Sequence, residues 1–128
     1  MATAGSLPTI GDSLPSDAEA ASNPATPIPP KLTGLSPHVI VRDGVVFTVG
    51  VDADGVVRYL GTSDPAFSTP DGVSTETRMV DLIRSGKASS TVEVNEDQSS
   101  SMLLGSGWWA AIPSGISVDT KVSQVYLK

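Results

Sequence analysis

Proline placement limits this chain more than any other feature of its sequence. Seven of the ten prolines fall within the first 37 residues, at positions 8, 15, 24, 27, 29, 30 and 37. Proline lacks a backbone donor and restrains the residue before it to extended geometry, so this region is not mainly helix or central strand. The stretch 23–30 is predicted to be polyproline-like, either a surface linker or an extended arm laid on a partner.

One short helix is predicted to interrupt the proline-rich region. Ser13 is a suitable N-cap and Pro15 lies in the first turn, where its missing donor costs little. Asp17 and Glu19 complement the positive end of the helix dipole. Pro24 would end the helix.

After Pro37 the pattern becomes that of strands. Apolar and β-branched residues alternate with turn residues, and Asp43-Gly44 is a strong signal for a two-residue hairpin turn. Residues 38–60 are therefore predicted to form a three-stranded meander, with strands at 38–41, 45–51 and 56–60.

A helix is predicted at residues 74–86. Ser74 or Thr75 would cap it, and Gly86 can adopt the left-handed position after its end. Met79, Val80, Leu82 and Ile83 form an apolar face that should pack on a sheet. Strands are then predicted at 91–94, 102–104, 108–112 and 122–127, separated by turns at 95–97 and 105–107 and a break at 113–115.

The two halves of the chain have similar patterns. Ser13 corresponds to Ser74 and Gly44 to Gly107, and the closing strands carry Tyr59 and Tyr126. The predicted fold class is α+β: two tandem helix-plus-antiparallel-strand repeats that share or pack a sheet, with helices on one face and a Pro-rich extended N-terminal region. The predicted division is 1–37 as the extended region and 38–128 as the core, with repeat one at about 5–61 and repeat two at about 68–128. Chance similarity is the alternative, since short helices and glycine turns are common.

Three segments carry a resemblance to a known group of proteins. Residues 5–13, followed by the Ala/Glu-rich segment 17–21, resemble the opening of small bacterial exported domains. Residues 62–73 resemble the link between the two halves of such domains, and 121–127 their final strand. The architecture is similar to that of the β-lactamase inhibitory protein and the small outer-membrane assembly lipoproteins. The chain departs from them because it lacks a cysteine pair and a lipid-anchoring cysteine, so no inhibitory residue is transferred.

Composition argues against several functions. Eight Lys+Arg stand against 14 Asp+Glu, and the net charge of -6 disfavours nucleic acid and anionic lipid as partners. The absence of cysteine excludes a disulfide framework, a thiol nucleophile and a thiolate metal site. The longest charge-free stretch, 98–118, is broken by Ser, Gly and Pro, so no membrane-spanning segment is predicted.

Catalytic and metal-binding patterns are also missing. The one histidine, His38, lies in a predicted strand, and no serine lies in a nucleophile-elbow motif. The carboxylate pairs Asp52/Asp54 and Glu96/Asp97 fall on predicted turns, and the residues after Asp52 lack the later ligands of a calcium loop. We therefore predict no enzyme activity, no catalytic residue, no metal and no cofactor.

Surface recognition remains as the predicted role. Trp108 and Trp109 are adjacent, so in a strand one faces the core and the other the opposite face. With Tyr59 and Tyr126 on that opposite face, the four residues would form a binding patch of the composition found in hot spots. The alternative is that both tryptophans are buried against a helix and its loop.

The predicted function is a non-enzymatic protein- or envelope-binding module of a bacterial exported protein. Its location would be extracellular or periplasmic, although the first six residues have no leader character. The partner would be a protein or cell-envelope surface, and an oligomer is compatible with the sequence. The alternative is a virus or phage structural protein that decorates a capsid, with the proline-rich region as an arm across neighbouring subunits. A small hydrolase is disfavoured by the missing catalytic dyad.

Overall fold

A single antiparallel sheet of eight strands organises the protein. The computed structural model describes residues 7–22, 24, 26, 28, 32–94, 99–114, 117 and 119–128. The strand order is β1-β2-β3-β4-β8-β7-β6-β5. The strands are β1 (Glu19–Ala20), β2 (Ser36–Arg42), β3 (Val45–Val51), β4 (Val57–Thr62), β5 (Ala88–Val94), β6 (Ser100–Leu104), β7 (Trp109–Ile112) and β8 (Gln124–Leu127).

The hairpin between β2 and β3 forms where the Asp-Gly turn predicts it. Asp43 has φ 51° and Gly44 has φ 79°, both in the left-handed region that a type I′ turn requires. Arg42 and Val45 form the closing pair of the ladder. The predicted meander over 38–60 is confirmed by β2, β3 and β4.

The last strands of the two halves meet at the centre of the sheet. β4 and β8 are antiparallel, with Gly61 opposite Tyr126. Each half therefore contributes a four-stranded meander, and from each edge of the sheet to its centre the strands follow in chain order. One backbone hydrogen bond also recurs in both halves, with the same number of residues between donor and acceptor. Val57 N–H donates to the Asp12 carbonyl, and Val122 N–H donates to the Thr77 carbonyl.

The predicted α+β fold of two helix-strand repeats is wrong. The described residues contain one helix, α1 (Met79–Ser85), so the fold is mainly β. Where the first helix is predicted, Ser13 forms an isolated bridge with Val56 and Glu19–Ala20 pairs with β2. Leu14 is the one large apolar side chain of this segment and the other apolar residues are alanines and a proline, so a helix here would bury little surface. Pairing with the sheet satisfies the backbone groups of the segment instead.

The second predicted helix exists but is shorter than expected. Ser74 and Thr77 form a turn, in which the Ser74 N–H donates to Thr77 Oγ1 at 3.0 Å, and the helix begins only at Met79. Its end is as predicted, because Gly86 takes φ 72° and donates its N–H to the Ile83 carbonyl. Arg78, paired with Lys121 by an isolated bridge, occupies the N-cap position.

The hydrophobic core covers one face of the sheet, here called the first face. The inward side chains of β2, β3, β4, β7 and β8 meet Leu82 of α1 and the connection that precedes it, including Phe67 and Val73. Leu7 also belongs to this core, with Ile10 and Leu14 packed against it. Side chains alternate between faces along each strand, so the other set, which includes Tyr59, Gly61, Tyr126 and Trp109, lies on the second face.

The predicted strands at 91–94 and 102–104 lie within β5 and β6, whereas those at 108–112 and 122–127 begin one and two residues before β7 and β8. The turn predicted at 95–97 lies outside the described residues, as do Gly115 of the predicted break and most of the polyproline stretch 23–30. Within the described part of the chain, no helix is long and apolar enough to cross a membrane.

Candidate binding surface

The adjacent tryptophans at the start of β7 point to opposite faces of the sheet. Trp108 is 3% exposed and packs in the core, with its ring centroid 5.1 Å from that of Phe67. Trp109 lies on the second face and is partly exposed. The side-chain period of two along a strand produces this split. Trp108 is therefore a core residue, and Trp109 alone of the pair reaches the surface.

Tyr59 and Tyr126 share the second face with Trp109 in a row across the strands. The ring centroids of Tyr59 and Tyr126 are 5.5 Å apart, and those of Tyr126 and Trp109 are 6.5 Å apart with nearly parallel planes. Both tyrosines are buried, at 0% and 2% exposure. Of the four predicted binding residues, three are therefore inaccessible to a partner in this conformation.

Glycine makes the tyrosine row compact. A Cβ on Gly61 would lie 2.8 Å from Tyr126 Cβ and 2.8 Å from Tyr59 Cζ. The Tyr59 ring thus lies across the strand over the space that a side chain at Gly61 would fill. This close approach explains why Tyr59 is enclosed although it is not part of the first-face core.

Hydrogen bonds satisfy both phenol groups within the protein. The Tyr126 hydroxyl donates to Ser101 Oγ at 2.7 Å, and the Tyr59 hydroxyl donates to the Gln124 side chain. Burial raises the pKa of both tyrosines above the ordinary value of 10.0, and for Tyr59 the neighbouring Tyr126 adds to the effect. Both groups therefore remain protonated at neutral pH, and Tyr126 supports the Trp109 ring that stacks on it.

Charged side chains border the exposed part of Trp109. Lys128 Nζ lies 4.4 Å from the Trp109 ring centroid and contacts the Glu93 carboxylate. Leu103 is the direct cross-strand partner of Trp109 on β6. We call Leu103, Trp109, Glu93 and Lys128 the Trp109 surface. It combines an indole, an aliphatic neighbour and one ion pair on the second face.

The residues considered for chemistry have structural contacts. His38 Nδ1 lies 3.2 Å from the Ser36 carbonyl oxygen. Asp52 accepts the N–H groups of Asp54 and Val56 and pairs with Arg58, and these contacts lower its pKa, with the Val56 N–H as the largest cause. Among the described residues, no group of three or more His, Cys, Asp or Glu side chains could hold a metal ion.

A second surface feature was not predicted from the sequence. A cavity of about 230 Å³ lies where the chain leaves β4, lined by Thr26, Val46, Thr48, Thr62, Ser63 and Asp64. Thr26 and Ser63 are 37 positions apart, and their hydroxyl oxygens are 2.7 Å from each other. No local pattern could reveal this site, because Thr26 comes to lie against Ser63 only in the tertiary structure.

Comparison with known proteins provides no assignment for either feature. No protein-family model, curated protein or solved structure matches the chain.

Proposed function

We propose that the chain is a non-enzymatic binding module that recognises a partner protein through the Trp109 surface. The observation that carries the proposal is the position of Trp109. Its indole is partly exposed on the second face while the tryptophan beside it is in the core. A large aromatic ring held at a protein surface is the side chain most often found at the energetic centre of an interface.

The support beneath Trp109 suits it to binding. Its ring stacks on the buried Tyr126, whose hydroxyl is fixed by Ser101. A ring that is already held in one orientation loses little conformational freedom when a partner docks, and this lowers the entropic cost of binding.

The charges around Trp109 suit a polar rim. The Lys128 and Glu93 side chains are 20% and 36% exposed, so both retain contact with solvent beside the indole. In protein interfaces, a ring of such residues surrounds the buried anchor and contributes orientation more than affinity.

An exported, envelope-associated setting is part of the same proposal, and it rests on the resemblance of segments 5–21, 62–73 and 121–127 to small bacterial exported domains. The virion alternative requires an N-terminal arm that reaches other subunits. The described residues of that region instead contact this chain's own sheet: Thr26 bonds to Ser63, and Ile28 and Leu35 lie over Gly50. We therefore favour the binding module.

The test is affinity capture with the immobilised chain from an extract of the source organism. Wild type, Trp109→Ala and Ile83→Ala are compared, because Ile83 is an exposed apolar residue of α1 away from the Trp109 surface. Melting curves first establish that all three are folded. We expect one set of proteins to be retained by wild type and Ile83→Ala and to be lost with Trp109→Ala. Equal retention by Trp109→Ala refutes the proposal.

A further inference from the structure

The cavity beside β4 has the chemistry of a cation site with an aliphatic wall. Asp64 is the one charged residue among the described residues that line it, and none of their ion pairs involves this carboxylate. One oxygen, Oδ1, accepts the Ala66 N–H at 2.9 Å, which leaves Oδ2 for another donor. A carboxylate with one oxygen committed offers a ligand a single acceptor.

Thr48 provides a second and independent indication of a ligand. It is 2% exposed, it lines the cavity, and its hydroxyl has no hydrogen-bond partner among the described residues. No fully enclosed side-chain polar atom in this part of the chain lacks a partner. The Thr48 hydroxyl is therefore reached through the cavity, where a bound group could accept from it or donate to it.

The other hydroxyl groups have fixed roles that shape the cavity. Thr62 Oγ1 donates to the Val46 carbonyl at 2.9 Å and accepts the Asp64 N–H at 3.1 Å. Thr26 Oγ1 accepts the Ser63 N–H at 2.9 Å and pairs with the Ser63 hydroxyl. These bonds hold the lining in place, so the polar groups would not need to rearrange when a ligand enters.

The cavity wall is apolar on one side. Val46 lines it and is 46% exposed, and its cross-strand partner Val41 is 56% exposed on the same face of the sheet. A ligand with an aliphatic stem could therefore lie along these two valines while its head reaches Asp64.

We propose that this cavity binds an alkylammonium group, with the ammonium on Asp64 and Thr48 and the stem along Val46. An ammonium is a compact cation with three donors, which suits one carboxylate oxygen and nearby hydroxyl oxygens. A guanidinium prefers two carboxylate oxygens side by side, and here one of them is occupied. The net charge of -6 favours the approach of cations.

This site is independent of the Trp109 surface. It lies beside β3 and β4 of the first meander, whereas Trp109 is on β7 of the second. Two sources of the ligand share the chemistry: the side chain of a lysine in a partner, and a free aliphatic amine. The test distinguishes them.

The experiment is titration of the full ¹⁵N-labelled chain, followed by amide chemical shifts. The probes are n-butylammonium, Nα-acetyl-lysine N-methylamide and n-butanol, which has the same stem without a charge. We expect both ammonium probes to give saturable shifts at Ser63 and Asp64, with a Kd on the order of millimolar for ligands of so few atoms. Tighter binding of the lysine derivative identifies a partner's lysine as the source, and tighter binding of n-butylammonium identifies a free amine.

Variants make the result specific to the cavity. Asp64→Asn keeps the acceptor for the Ala66 N–H and should weaken ammonium binding at least about tenfold. Asp54→Asn, the same charge change on the β3–β4 turn, should leave the Kd unchanged. Thr48→Val should weaken binding about threefold or more because it removes only this hydroxyl, to which no described residue bonds.

Three results would overturn the proposal: no saturable shift at the cavity, equal shifts with n-butanol, or equal affinity in Asp64→Asn and Asp54→Asn. We also expect Trp109→Ala to bind the ammonium probes with the wild-type Kd. The cavity proposal can therefore fail or hold whatever the capture experiment shows for the Trp109 surface.

Discussion

Replacement of Gly61 by alanine should destabilise the protein strongly although it adds only one methyl group. The new Cβ would lie 2.8 Å from Tyr126 Cβ, which is fixed to the backbone of β8, and against the Tyr59 ring and hydroxyl. Neither neighbour is the free end of a flexible side chain. The Tyr59 ring must therefore move, and its hydrogen bond to Gln124 is lost with it.

The magnitude follows from three contributions. Overpacking of an enclosed site costs about 1–3 kcal/mol, and loss of a buried hydrogen bond costs about 1 kcal/mol. Alanine restricts the unfolded chain more than glycine does, which offsets about 0.5–1 kcal/mol. The net loss is about 1–3.5 kcal/mol in the free energy of unfolding, or roughly 4–14 °C in melting temperature for a chain of this size.

Equilibrium unfolding in urea measures this difference, with Gly105→Ala as the matched control. A Cβ on Gly105 would lie 3.7 Å from Asp71 Oδ1, which is an ordinary contact, so this variant should be as stable as wild type or more stable by up to about 1 kcal/mol. Tyr59→Phe should cost less in the Gly61→Ala background than alone, by about 1 kcal/mol, because the hydroxyl is already displaced. If the free energies of unfolding of Gly61→Ala and Gly105→Ala differ by less than about 0.5 kcal/mol, the close packing of the two tyrosines around Gly61 does not have the expected effect.

Three further predictions concern titration and the tryptophans. Burial raises the pKa of Tyr59, so above the ordinary value of 10.0 the unfolded chain loses this proton while the folded protein keeps it. The contribution of Tyr59 to stability should therefore be constant below pH 10 and fall above it by up to about 1.4 kcal/mol per pH unit. The melting temperature should accordingly depend less on pH in this alkaline range for Tyr59→Phe than for wild type. The N–H of Val56 and the Arg58 side chain lower the pKa of Asp52, so its stabilising contribution is present above the ordinary value of 3.8 and is lost as the pH falls through the lowered pKa; an NMR titration should show this pKa rise in Arg58→Ala. Trp108→Ala should cost about 3–5 kcal/mol of unfolding free energy and Trp109→Ala less than half of that. Acrylamide should also quench the fluorescence of Trp109, measured in Trp108→Phe, more than that of Trp108, measured in Trp109→Phe. Equal quenching would contradict the assignment of the two faces.

The parts of the fold that short-range patterns encode were predictable. The Asp43-Gly44 turn needs two residues with positive φ, and the β-branched runs on either side read as strands in any context. The end of α1 was also predictable, because Gly86 can adopt the left-handed conformation. The start of α1 was not predictable. Ser74 and Thr77 hydrogen-bond to each other in a turn, and Arg78 still forms a β-bridge with Lys121 before the helix begins.

The predicted first helix shows where local signals are insufficient. Ser13, Pro15 and Asp17 all suit the first turn of a helix, yet a turn has the same preferences, and Asp17 instead pairs with Arg42 of β2 at 2.7 Å. A short helix whose only large apolar side chain is Leu14 gains little from packing. Pairing with the sheet stabilises this segment more than a helix would, because its backbone groups form hydrogen bonds with β2 and with the start of β4.

The candidate site likewise has features that the local sequence determines and features that depend on the tertiary structure. Alternation along a strand, a local property, determines that Trp108 and Trp109 face opposite sides, and it can be read from adjacent positions. The burial of Tyr59 and Tyr126 depends on β4 lying beside β8 and on Gly61 between their rings, and the cavity depends on Thr26 reaching Ser63. Turns and strands arise from sterics within a few residues, which the sequence by itself determines. The neighbours of each strand arise from packing and hydrogen bonds between distant segments, so only the tertiary structure decided which aromatic ring is exposed and where a ligand could enter.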